Sequence, residues 1–254
     1  MKDVHARQQS ILQLARASGG VEATDLARRL GVSVETVRRD LRVLEQHGAV
    51  RRTHGGAYPV ENAGFETGLS QRTGARVQEK QRIARAAIGC LADASSVFID
   101  EGYTTQLVGE ALPAGRPMTV LTTSVPLAAA IADRQHLTVL LLGGRVRPNT
   151  LAVVGSSVTS MLQRYVVDLA ILGANGISIT HGLTTPDPAV ADVKAAAIRS
   201  SRRRLLVGAH HKFGISSFCR FGDLRDIETV IVDDGLPMAQ ARRYAELGPQ
   251  VLRV

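Results

Sequence analysis

Residues 33–56 read SVETVRRDLRVLEQHGAVRRTHGG, a segment that joins an arginine-rich surface to a regular apolar stripe. Val37, Leu41 and Leu44 recur at i, i+4 and i+7, the spacing of one buried helix face, while Glu35, Arg38, Arg39 and Arg42 take the opposite side. Ser33 stands where a helix N-cap belongs and His47-Gly48 where a helix stops, which predicts a helix through Gln46. After it, AVRRTHGGAY predicts two short strands around a glycine-bearing turn, with Arg51, Arg52 and His54 on the hairpin. Upstream, Ile11, Leu12 and Ala15 mark a first helix over 4–18, and VEATDLARRLG a second that ends at Gly31. Three helices, a three-residue break before the third and then a hairpin outline a winged helix-turn-helix over residues 1–58.

The charge distribution says what such a unit would meet. The chain has 254 residues and a formal net charge of +8. Residues 1–58 hold 10 Lys/Arg against 6 Asp/Glu and the other 196 residues hold 21 against 17, so each part carries +4 and the N-terminal fifth is far denser in positive charge. A basic helix face is commonly just solvated. Here it lies on the second helix of a helix-turn-helix beside a basic hairpin, and the predicted partner is a double-stranded DNA operator. Ser33, Glu35, Thr36 and Arg38, at the N-terminal end of the helix, would reach base edges. Arg39, Arg42, Arg51 and Arg52 would meet phosphates, with His54 on the same hairpin. Asp40 would repel DNA and is expected in an ion pair with a neighbouring arginine. With no Trp and 4% aromatics, a stacking platform for single strands is excluded.

Residues 59–76, PVENAGFETGLSQRTGAR, lack periodicity and read as a linker. From residue 77 to 254 the pattern changes. A helix over Lys80–Leu91 leads into SVFID, and MTVLTTS, LTVLLLGG, VVDLAILGAN, RRLLVGAH, ETVIVDD and QVLRV follow as continuous apolar runs. Helical stretches such as VPLAAAIADR, PAVADVKAAAIRSS and PMAQARRYAEL lie between several of them. Strands that are apolar throughout and separated by helices predict an α/β domain around a mostly parallel sheet covered on both faces. Cys90 and Cys219 have neither CxxC spacing nor clustered histidines, the N-terminus has no signal-peptide pattern, and LTVLLLGG is only strand-sized. These features predict a cytoplasmic chain with reduced thiols, no cofactor or metal, and no membrane association.

The stretch VSVETVRRDLRVLEQHGAVRRTHGGA resembles the DNA-binding domain of the DeoR family of transcriptional regulators, in which R-R-D-L and H-G-G-A recur at this separation. The likeness continues through EKQRIARAA, FIDEGYTTQLVGEAL, VLTTSVPLA, LLGGRVR, LAILGANGI, GLTTPD, VKAAA and HKFG. It implies a C-terminal effector domain similar in fold to ribose-5-phosphate isomerase, which senses a phosphorylated sugar or related anionic metabolite. The expected molecule is therefore a regulator, most simply a repressor. One winged helix makes a small DNA contact, so a homo-oligomer, dimer or tetramer, held by the large domain is expected.

The residues fit such a ligand. In FIDEGYTT a strand, a glycine turn and a helix start would turn backbone N–H groups and the hydroxyls of Thr104 and Thr105 toward an anion, with Gly102 in the turn and Asp100 able to accept from sugar hydroxyls. Ser124, Gly144 and Asn175 stand at further strand ends, where open α/β sheets bind ligands, and Lys194 and Lys212 could pair with a phosphate. Three positions depart from the family pattern: Tyr103 replaces the Ser or Thr of D-x-G-[ST]-T, Thr123 the Asn of T-N-S, and His210 a frequent Asp. His210 and His211, read as adjacent strand residues, would face opposite ways and could not share a metal. The alternative is a sugar-phosphate isomerase. That enzyme's acidic D-G-A-D-E cluster is here Gly173-Ala174-Asn175-Gly176, which offers no carboxylate base.

Overall fold

The computed structural model describes residues 4–18, 20–46, 50–53, 55–59, 73 and 76–254. The chain divides into two units, Met1–Thr67 and Gly68–Val254. His54 and most of the expected linker lie outside the described residues.

In the N-terminal unit, α1 (Val4–Ser18), α2 (Ala23–Leu30) and α3 (Val34–Gln46) enclose Ile11, Leu12, Ala15, Leu26, Val37, Leu41 and Leu44. Gly31 ends α2 in the left-handed conformation (φ 62, ψ 41), as a glycine C-cap does. Ser33 then caps α3: its Oγ accepts from Thr36 N at 3.1 Å. The expected hairpin is β2 (Val50–Arg52) against β3 (Gly56–Pro59), and the structure adds a third strand, β1 (Val21–Glu22), on the other side of β3. That pairing explains the double glycine of the hairpin. A Cβ at Gly56 would stand 1.8 Å from Val21 O, so only glycine lets β1 approach.

In the larger unit, α4 (Val77–Gly89) precedes β4 (Ser96–Ile99), α5 (Tyr103–Glu110), β5 (Met118–Thr122), α6 (Val125–Ile131) and β6 (Leu137–Leu141). A small hairpin, β7 (Arg145–Val146) with β8 (Val153–Val154), leads to α7 (Ser156–Leu162) and β9 (Val167–Leu172). Then come β10 (Gly176–Ser178), β11 (Gly182–Thr185), α8 (Pro188–Arg199), β12 (Ser201–Val207), β13 (Cys219–Gly222), β14 (Thr229–Val232), α9 (Met238–Ala245) and β15 (Gln250–Arg253). Seven strands form one sheet in the order β15-β14-β12-β9-β4-β5-β6, and every pairing in it is parallel.

The apolar runs are continuous because both faces are buried. Along β4, Val97 and Ile99 pack with Ile83 and Ala87 of α4, Val108 of α5 and Leu127 of α6, while Phe98 packs on the other face with Val158 of α7 and Val190 of α8. The chain winds from β4 outward through β5 to β6 with helices on one face. It then returns to β9, beside β4, and winds the other way with helices on the opposite face, as right-handed crossovers require. The reversal falls between β4 and β9, and the C-terminal ends of strands at such a reversal are where open α/β sheets form a ligand crevice. Three features were not expected: the β7–β8 hairpin, the short α7, and a separate antiparallel sheet of β10, β11 and β13.

Candidate functional sites

On α3, the side opposite the core carries exposed Glu35, Arg38, Arg39 and Arg42. Glu35 accepts from Arg42 at 3.0 Å and lies 3.8 Å from Arg38, so one carboxylate aligns two guanidinium groups along the helix. Ser33 and Thr36 share a hydroxyl contact of 2.8 Å at the helix start. Arg52 is fixed to the end of α3 through its backbone N, 2.9 Å from Glu45, and its guanidinium, 3.6 Å from the same carboxylate. Arg51 sits on β2 beside it. Asp40 departs from expectation in one respect. It is 2% exposed, and its partner is no arginine near it in sequence but Arg7 of α1, whose Nε and Nη2 donate to the carboxylate at 2.6 and 3.2 Å. Gln8 adds a third donor at 3.2 Å. The carboxylate raises the Arg7 pKa further and clamps the basic helix to α1.

In the larger unit, Asp100 leaves the end of β4 and Lys194 reaches it from α8. The two form a fully buried ion pair, 1% and 2% exposed. Gly173, at the end of β9, locks the arrangement: its N donates to Asp100 Oδ2 at 2.9 Å and its O accepts from Lys194 Nζ at 3.1 Å. This pair therefore sits across the β4/β9 reversal. Lys194 is a counter-ion of Asp100, a more specific place than a free phosphate-pairing lysine. Asp100 Oδ1 is buried and has no hydrogen-bond partner among the described residues.

The other expected residues lie at or just beyond the ends of β4, β5, β6, β9 and β12. Gly102, at φ 122, is the N-cap of α5; Thr105 is buried, and its hydroxyl donates to Gly102 O at 2.8 Å, whereas Thr104 is half-buried on the same first turn. Ser124 caps α6 by accepting from Leu127 N at 3.3 Å, and Thr122 beneath it donates to Ile99 O at 2.7 Å. Asn175 is buried with its Oδ1 accepting from Thr185 at 3.1 Å. At Gly144 the structure shows a packing need, since a Cβ would lie 2.7 Å from Val154 O. Lys212 lies on a 3-10 turn, His210–Lys212, that follows β12. His210 and His211 are thus on a turn, not on a strand, and their rings meet edge to face at 6.1 Å.

Sequence reasoning missed several charged residues here. Lys80 is buried on α4, and its Nζ lies 5.4 Å from the centroid of the Tyr103 ring, a cation–π contact that gives the unusual tyrosine a partner. Its signal was available: Lys80 occupies the apolar stripe of Ile83, Ala84 and Ala87. Arg147 is also buried, held 3.0 Å from Asp187, which caps α8. Around the turn, burial first and then chiefly the charges of Lys212 and Arg76 push His211 well below its ordinary value, so it is neutral. Asp233, at the end of β14, would be raised by burial, but donation from His210 and Gly235 prevails and holds it at about 2.

Known proteins share both units. The description "DeoR-like helix-turn-helix domain" matches residues 7–62, and "DeoR C terminal sensor domain" matches residues 75–234. The HTH-type transcriptional regulator GlpR of Haloferax volcanii is 35% identical over 246 residues, 97% of this chain and 96% of that one. The glycerol-3-phosphate regulon repressor of Escherichia coli K12 is 28% identical over 233 residues, 92% of each. Among solved structures, ribose 5-phosphate isomerase A of Methanocaldococcus jannaschii covers 53% of each chain at 15% identity and a TM-score of 0.36, too slight a likeness to carry an argument. Two matched domains in the right order, and full-length kinship with such regulators, place this chain in the DeoR family of helix-turn-helix transcriptional regulators.

Proposed function

We propose that this regulator is a repressor that binds double-stranded operator DNA as a homo-oligomer, through α3 and its wing, and is released by a phosphorylated sugar or related anionic metabolite held at the β4/β9 crevice. The observation that carries the sensing half is the buried Asp100–Lys194 pair at the sheet's reversal, whose second carboxylate oxygen lacks a partner among the described residues. A sugar hydroxyl is the group that would satisfy it. Gly102, Thr104 and Thr105, together with Lys80 and Lys212, are the groups to receive the phosphate. The relatives named for the glycerol-3-phosphate regulon make glycerol 3-phosphate the first compound to try.

The isomerase alternative is disfavoured by the same geometry. Asp100 is tied to Lys194, and the Gly173–Gly176 turn beside it supplies no carboxylate base. The expected result with ribose 5-phosphate is no ribulose 5-phosphate above background. Thermal-shift screening of phosphorylated metabolites tests the sensing half, because a ligand at 100 times its Kd adds about 2.7 kcal/mol of stability. Selection of bound duplexes from a random pool tests the other half. A protein that enriches no sequence and is stabilised by no phosphorylated compound would contradict the proposal.

A further inference from the structure

Arg76 is the N-cap residue of α4 and holds a left-handed conformation, φ 53 and ψ 47, that strains a long side chain such as arginine. Its Nη1 lies 3.4 Å from His210 Nε2. A guanidinium can only donate, so this contact requires a lone pair on Nε2 and places the imidazole proton on Nδ1. Nδ1 then donates to Asp233 Oδ2 at 2.5 Å. Asp233 is buried, and it also accepts from His210 N at 2.7 Å and Gly235 N at 3.1 Å. A carboxylate thus orients an imidazole, and the imidazole orients a guanidinium.

Other positive charges surround the same turn. Arg76, Lys80 and Lys212 all act on His211, which they help to keep neutral, and His211 Nδ1 is buried without a hydrogen-bond partner among the described residues. Arg76 Nε is likewise buried and unpartnered among them. An anion that brought a protonated oxygen to His211 and charged oxygens to Arg76 would satisfy both.

We propose that Arg76, positioned by His210 and Asp233, is an anion-binding residue of the effector crevice and meets the same phosphoryl group as Lys80 and Lys212. The inference rests on the reading that the crevice holds a phosphorylated metabolite. His210 is one of the three departures from the family pattern, so the Asp233–His210–Arg76 relay is a specificity feature of this chain. It also puts ligand contact at the N-cap of the first helix of the sensor unit.

The test is calorimetric titration of the full-length protein with inorganic phosphate and with glycerol 3-phosphate. Arg76→Asn suits the backbone, because asparagine tolerates the left-handed region, so its Tm should hold or rise while phosphate affinity falls at least tenfold. His210→Asn keeps a donor for Asp233 but has no atom at the Nε2 position, and it should lose affinity similarly. His210→Gln places a carbonyl near that position and should recover part of the loss. Wild-type affinity in both Arg76→Asn and His210→Asn, with affinity lost in Lys212→Ala, would overturn the role of Arg76 and leave the crevice reading standing. No binding of either probe by the wild type would overturn both. If Arg76→Asn does not fold, the two His210 variants decide alone. Equal loss of affinity and Tm in both would mean a merely structural relay and would also overturn the proposal.

Discussion

Glu35 and Arg42 meet on α3 at 3.0 Å with 61% and 52% of their side chains in water, whereas Asp100 and Lys194 meet at the strand ends with 1% and 2%. Both contacts are ion pairs, and they serve opposite purposes. An exposed pair contributes at most about 1 kcal/mol of stability and is screened by salt. On the proposed reading, it leaves the arginines able to exchange Glu35 for a phosphate or a base edge on DNA. A buried pair has lost its water, and it holds only while geometry and further hydrogen bonds compensate both charges. Gly173 provides those bonds through its own N–H and C=O. In the proposed roles, the DNA-facing surface is loosely paired so that it can re-pair, and the proposed sensing crevice is rigidly paired so that a ligand meets preset groups.

The contrast can be broken by removing one partner from each pair. Lys194→Met leaves Asp100 as an uncompensated buried charge and should cost about 3–5 kcal/mol of sensor-unit stability by denaturant unfolding. Adding Asp100→Asn to the same chain should restore much of it. On α3, Arg38→Ala should leave unfolding unchanged within about 0.5 kcal/mol. The same substitution should weaken operator binding by about 1–3 kcal/mol and flatten base preference in a gel-shift titration. Loss of unfolding free energy in Arg38→Ala, or none in Lys194→Met, would erase the distinction.

A pH titration sharpens it. His211 is depressed in the folded state, chiefly by burial, so the unfolded chain binds its proton more readily. Stability from this group is complete above the ordinary histidine value of 6.5 and is lost as pH falls below it. Asp233 works in a separate, lower window: its folded value of about 2 means a contribution present above 3.8 and lost only as pH falls toward 2. Melting profiles of His211→Gln should therefore be flatter than the wild type as pH falls below 6.5. The smallest effect belongs to the wing. Arg52→Ala should weaken all duplexes alike and reduce the salt slope by about one, with no change in sequence preference.

The same contrast explains what the amino-acid sequence revealed. Exposed and buried faces of a helix differ by periodicity, so Val37, Leu41 and Leu44 on one side and Arg38, Arg39 and Arg42 on the other were legible, as was Ser33 as the cap. Strands buried on both faces announce themselves as continuous apolar runs, and the parallel sheet followed. Pairings between distant residues leave no local pattern. Arg7 with Asp40, Asp100 with Lys194, and Arg76 with His210 are separated by 33, 94 and 134 positions. The sheet of β10, β11 and β13 was hidden for the same reason: Leu183 pairs with Gly222, and a glycine-rich short strand has almost no signature of its own. Lys80 was the exception, a charge standing in an apolar stripe and visible to anyone asking why.

The central claim is that one anionic metabolite and one operator compete through two states of this protein, and a reciprocal binding measurement tests it most directly. Operator affinity would be measured by fluorescence anisotropy with and without a saturating phosphorylated metabolite chosen from the thermal-shift screen. Metabolite affinity would be measured by calorimetry with and without saturating operator. Linkage predicts the same factor in both directions, and a tenfold effect corresponds to about 1.4 kcal/mol of coupling. A metabolite that binds tightly while leaving operator affinity unchanged would contradict the account.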